Sequence, residues 1–87
     1  MPTEATMRVR VLFFGRLREL AGGSEETVEL RQGAPIEELF GAVAARRPAL
    51  AAFRPSLVAS RNLEFAPWST PLQPDDEIAF LPPVSGG

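Results

Sequence analysis

Gly33-Ala34-Pro35-Ile36-Glu37-Glu38-Leu39-Phe40-Gly41-Ala42-Val43-Ala44-Ala45-Arg46-Arg47-Pro48 lies near the middle of the chain and carries the pattern of one amphipathic helix. Pro35 suits the first helical turn, where a missing N–H costs nothing. Glu37 and Glu38 fall where carboxylates complement the positive end of the helix dipole, and Arg46-Arg47 fall where cations complement the negative end. Ile36, Leu39, Phe40 and Val43 recur at the spacing of one helical face, with Ala44 alongside. Pro48 stops the helix. This helix has a single apolar stripe to bury, and the flanking segments must supply the surface that buries it.

On its N-terminal side the chain alternates. Met7, Val9, Val11 and Phe13 share one parity, and Arg8, Arg10, Leu12 and Phe14 share the other. That is a strand with one face in the core and an outer face that begins polar and turns apolar. Arg16 to Ala21 has the makings of a short helical turn, broken at Gly22-Gly23-Ser24. Glu26 to Leu30 alternates again with Val28 and Leu30 inward, which makes an antiparallel hairpin with a wide connection. Residues 1–6 are small, polar and unpatterned, the composition of a loose arm.

On the C-terminal side, residues 49–56 (ALAAFRPS) suggest a short helical turn. Leu57 to Ser60 reads as a strand, Arg61-Asn62 as a turn, and Leu63 to Phe65 as a short return strand. Three prolines make 66–76 a loop, and Gln73-Pro74-Asp75-Asp76 has good turn chemistry. Glu77 to Leu81 is the last strand, with Ile78 and Phe80 facing the core and Ala79 and Leu81 facing away. A helix between two hairpin-like halves, buried by one mixed sheet, is an α+β arrangement of the β-grasp or ubiquitin-like kind. The expected organisation is an arm over 1–6, one domain over 7–81, and a flexible tail over 82–87.

Composition narrows the function. The chain has 87 residues, 45% hydrophobic and 23% charged, which fits one globular domain. A net charge of −2 gives no reason to expect nucleic acid or an anionic membrane as partner. No apolar run is long enough to span a bilayer, and Met1 to Thr6 lacks the pattern of a signal peptide, so a cytoplasmic location is expected. Cys, His, Lys and Tyr are all absent, and all nine basic residues are Arg. The commonest general base, the thiolate nucleophile and the usual soft metal ligands are therefore missing. An enzyme that works alone is not expected from such a chain, and neither is a bound cofactor. A chain without Lys also offers no ε-amino group for joining copies of itself through isopeptide bonds.

The tail reads Pro82-Pro83-Val84-Ser85-Gly86-Gly87. Two prolines stiffen the exit from the sheet. Six extended residues reach at most ~20 Å, enough to enter a neighbouring active site. Gly86 and Gly87 lack a Cβ, so such an end threads a narrow channel and presents the Gly87 carboxylate unobstructed. A carboxylate becomes a useful electrophile once adenylated. Parity adds a docking surface: Leu12 and Phe14 on the first strand and Ala79 and Leu81 on the last form one apolar patch if those strands are neighbours, and Phe65 extends it.

The opening Val11-Leu12-Phe13-Phe14-Gly15-Arg16-Leu17-Arg18-Glu19-Leu20-Ala21-Gly22 and the close from Pro71 to Gly87 resemble the MoaD-type sulfur carriers, the small subunits of molybdopterin synthase. The Pro-Pro-Val-Ser lead into Gly-Gly sets this group apart from the thiamine sulfur carriers. The sequence departs from the usual pattern in its first six residues and at Ser60-Arg61-Asn62.

The resemblance implies that a ubiquitin-activating-like adenylyltransferase uses ATP to adenylate Gly87. A sulfur relay fed by a cysteine desulfurase then converts the end to a thiocarboxylate. Pro82, Pro83, Val84 and Ser85 would line the path of the tail into the large synthase subunit. There the sulfur passes to cyclic pyranopterin monophosphate, in a heterotetramer of two small and two large subunits whose catalytic side chains belong to the large subunit. Alternative uses of the same architecture are a ubiquitin-like protein modifier, a carrier for thiamine or tRNA thiolation, and a passive ubiquitin-like binding module.

Other features read as structural. Asp75, Asp76 and Glu77 are expected to be a solvated turn rather than a cation site. Ser24, Ser69 and Thr70 lack a His partner and read as loop hydroxyls. Trp68 fits either a core plug or an interface anchor.

Overall fold

The structure is a computed structural model that describes residues 5–82. Strand β1 (Thr6–Phe13) runs antiparallel to β2 (Glu25–Arg31), with Val9 opposite Val28. Thr6 belongs to the strand, opposite Arg31, and the Gln32 N–H donates to the Ala5 carbonyl. The ordered sheet thus begins one residue before the expected boundary. Helix α1 (Gly15–Ala21) fills the wide connection and buries Leu17 and Ala21. It closes at Gly22, whose left-handed φ of 79° lets its N–H reach the Arg18 carbonyl at 3.1 Å.

Helix α2 (Ile36–Arg46) buries Ile36, Leu39, Phe40 and Val43, the stripe expected from spacing. Its N-terminus has no side-chain cap. The loop over residues 67–72 supplies acceptors instead: the Ile36 N–H donates to the Thr70 carbonyl and the Glu37 N–H to the Trp68 carbonyl, each at 3.0 Å. The Leu72 N–H returns a bond to the Ala34 carbonyl at 2.8 Å. A 3-10 helix (Pro48–Ser56) then leads to β3 (Val58–Arg61), β4 (Glu64–Ala66) and β5 (Glu77–Leu81).

The sheet order is β2-β1-β5-β3-β4. β1 and β5 are parallel, and every other pairing is antiparallel. The last strand therefore sits in the centre, and the chain leaves the sheet beside the end of the first strand. One sheet face packs on α2, with Val9, Val11, Ile78 and Phe80 at 0–1% exposure.

Trp68 packs against the core while staying partly exposed. Its ring stacks on Phe80 at 5.4 Å, and Phe40 meets both rings edge-on, at 5.6 Å from Trp68 and 5.1 Å from Phe80. The Arg54 guanidinium lies 3.5 Å from the Trp68 ring centroid and is paired with Glu37 at 3.3 Å.

The acidic turn is solvated at Asp75 but not at Asp76. Asp76 is buried, and its carboxylate accepts from Arg61 Nε at 2.6 Å, Asn62 Nδ2 at 3.0 Å and the Gln73 N–H at 2.8 Å. Burial pushes this carboxyl up, but those three bonds and the charge of Arg61 outweigh it and hold it below the ordinary value of 3.8. A lowered folded pKa means that the stabilisation is present above the unfolded pKa and is lost as pH falls through the folded one. Asp76→Asn should therefore cost about 1–3 kcal/mol at neutral pH. The gap in Tm from the unsubstituted protein should close on acidification, and thermal melts giving a gap independent of pH would contradict this.

Candidate functional site

The outer sheet face is polar at one end and apolar at the other. Register brings Leu12 beside Ala79, Ala79 beside Ser60, and Ser60 beside Phe65, a row across four strands. Phe14 follows β1 directly and is 45% exposed, and Phe65 is 75% exposed. Leu12 and Leu81 are half-buried. These side chains border a shallow groove of about 230 Å³. Glu77 stands at its polar rim, ion-paired with Arg10, which also lies 3.7 Å from Glu25.

The structure therefore brings together all five candidates of the apolar patch, with one correction. Ala79 is on the expected face but only 7% exposed. It lies in the central strand between Leu12 and Ser60, and its single methyl is too short to rise past them. It forms the floor of the groove rather than a contact knob. Pro82, the last described residue, is exposed just beyond Leu81. Pro83, Val84, Ser85, Gly86 and Gly87 lie outside the described residues.

Sequence reasoning missed Leu63, Ser60 and Glu77 as groove residues. The β3–β4 turn is Asn62-Leu63, with both residues at positive φ, 50° and 74°. It is one residue later than the Arg61-Asn62 turn expected from the sequence, because Arg61 pairs with Glu64 as the last rung of the ladder. The tolerance of Asn for left-handed backbone was the available signal. Asn62 is held firmly: its N–H donates to the Glu77 carbonyl at 2.8 Å, Nδ2 donates to Asp76 at 3.0 Å, and Oδ1 accepts from the Glu77 N–H at 3.0 Å. Leu63 projects from this anchored corner and is 88% exposed.

The groove is lined mostly by apolar side chains. Its carboxylate Glu77 is engaged by Arg10, Ser60 adds one hydroxyl, and its other lining side chains are hydrocarbon. Among the described residues no helix is long and apolar enough to cross a membrane. A mixed sheet with parallel first and last strands, one helix across its inner face and an apolar outer face at the exit of its last strand defines a ubiquitin-like β-grasp protein.

Residues 11–87 match the ThiS family. The chain is 39% identical over 83 residues to the molybdopterin synthase sulfur carrier subunit of Chlamydomonas reinhardtii, covering 93% of this chain and all of that protein. Among solved structures it is similar to the small archaeal modifier protein 1 of Haloferax volcanii, with a TM-score of 0.82, 25% identity, and coverage of 90% of this chain and 99% of that one. It is also similar to a chain in the complex of subunits 1 and 2 of the molybdopterin-converting factor of Helicobacter pylori, with a TM-score of 0.63, 29% identity, and coverage of 93% and 100%. The chain belongs to the ThiS family and, within it, to the MoaD-type molybdopterin synthase sulfur carriers.

Proposed function

We propose that this chain is the sulfur carrier subunit of a molybdopterin synthase, with the Gly87 carboxylate as the group that carries sulfur. The observation that carries the reading is the apolar outer face around Phe14 and Leu81, set at the point where the central strand hands over to Pro82 and the Gly-Gly tail. A partner seated on that face receives the tail at its own active site. The chain has no His, Cys or Lys, which supports the partner as the source of the acid–base groups.

In the first step an adenylyltransferase joins the Gly87 carboxylate to the α-phosphate of ATP and releases pyrophosphate. The terminal sulfur of a persulfide relay then displaces AMP to form an acyl disulfide. A thiol cleaves its S–S bond, becoming a disulfide with the relay cysteine and releasing the thiocarboxylate, the nucleophile delivered to cyclic pyranopterin monophosphate in the large subunit. Once that sulfur is bonded to the substrate, water cleaves the acyl–sulfur bond, and the tail is a carboxylate again, ready for another round. The complex of subunits 1 and 2 from Helicobacter pylori supports a large-subunit partner, and the two-plus-two assembly follows from the family resemblance.

The test is reconstitution. Thiocarboxylated chain, large subunit and cyclic pyranopterin monophosphate together should yield molybdopterin, and chain or large subunit alone should not. No product from the complete mixture, with the large subunit active toward another small subunit, would overturn the reading.

The likeness to an archaeal modifier favours conjugation to proteins as a second use of the same Gly87 chemistry. In that case the acceptor amine comes from a target, because this chain has no Lys of its own.

A further inference from the structure

We infer that Leu63 is a preorganised anchor for the large synthase subunit, an inference that rests on the docking face proposed above. Three observations meet at this residue. Leu63 has a left-handed φ of 74°, a conformation in which a two-residue hairpin favours glycine after asparagine. It is 88% exposed, so no packing within the described chain offsets that strain. It lines the groove beside Phe65, opposite the Phe14 and Leu81 walls.

A scattered exposed leucine needs no explanation. A strained and exposed leucine at the rim of an apolar groove gains no burial from its own fold and is placed for a partner. Asn62 explains why the strain persists. Its three hydrogen bonds to Asp76 and Glu77 tie the turn to the start of β5, so the corner cannot relax by changing register. A turn backbone held in this way loses little conformational freedom when a partner covers it, which strengthens binding for a given buried area. The occupant is the large subunit because the groove is continuous with the exit of the tail that must reach that subunit's active site.

Free-carrier stability and partner affinity should therefore respond in opposite directions. Leu63→Gly should raise the Tm of the full chain and weaken binding to the large subunit about tenfold, mostly through faster dissociation. Leu63→Ala should keep the strain, leave the Tm unchanged and weaken binding to a similar degree. Leu81→Ala, measured beside them by calorimetric titration, separates the two levels of the argument. Weakened binding in Leu81→Ala with unchanged affinity in Leu63→Gly would overturn the anchor alone. Unchanged affinity in both would remove the docking face and the anchor with it. A lower Tm in Leu63→Gly would show that the leucine packs within its own chain, and that also overturns the inference.

Discussion

A chain ending at Gly86 should lose sulfur transfer completely while melting at the same temperature as the full chain. Among the described residues the buried core cluster runs from Met7 to Phe80, and Gly87 has no side chain to add to it. Its deletion does remove the carbonyl carbon on which adenylation and thiocarboxylate formation depend, and it shortens the reach of the tail by roughly 3.5 Å. Reacting groups lose large factors in rate when misplaced by even ~1 Å, so the carboxylate of Gly86 is no substitute. Replacing Gly86 with a bulky residue such as Phe should have nearly the same effect, by obstructing the channel through which the tail passes. Single-turnover formation of molybdopterin checks both variants. Full activity in the shortened chain would exclude Gly87 as the carrier of sulfur.

The second large effect is expected on the groove. Phe14→Ala and Leu81→Ala should each weaken binding to the large subunit about tenfold or more, because burying one large apolar side chain contributes ~1.5–3 kcal/mol. Neither residue belongs to the buried core cluster. Phe14 occupies the N-cap position of α1 without a side-chain capping bond, so an alanine there removes no helix contact of that kind. Folding stability should change little. By contrast, Phe80→Ala opens the stack with Trp68 and Phe40 and should cost about 3–5 kcal/mol. Titration calorimetry and thermal melts on the two groove variants separate the cases: a large drop in Tm with unchanged affinity would mean that these side chains serve the core and not a partner.

Much of this was legible because periodicity states which face a residue occupies. Alternation from Met7 to Phe14 separated core from outer face without error, and the 36–43 stripe identified the buried side of α2. Periodicity does not state depth. Ala79 has the parity of Leu81 but lies at the floor of the groove, because strands distant in sequence flank it on both sides.

Asp76 was misread for a related reason. Two of its donors, Arg61 and Asn62, come from residues 15 and 14 positions away and meet it only once β3 pairs with β5. Trp68 stayed undecided between core and interface until the fold brought Phe40 and Phe80 to its ring. The turn at Asn62-Leu63 slipped by one residue because Arg61 extends β3, and that slip hid Leu63 among strand residues.

The carrier role is tested most directly by the intact mass of the chain after incubation with ATP, an activating adenylyltransferase, a persulfide sulfur source and a thiol reductant. The expected result is a gain equal to the exchange of one oxygen for sulfur, located at Gly87 by fragmentation and lost again once the large subunit and cyclic pyranopterin monophosphate are added. An unchanged mass with a competent activating system, or high-mass isopeptide adducts with no thiocarboxylate, would contradict it.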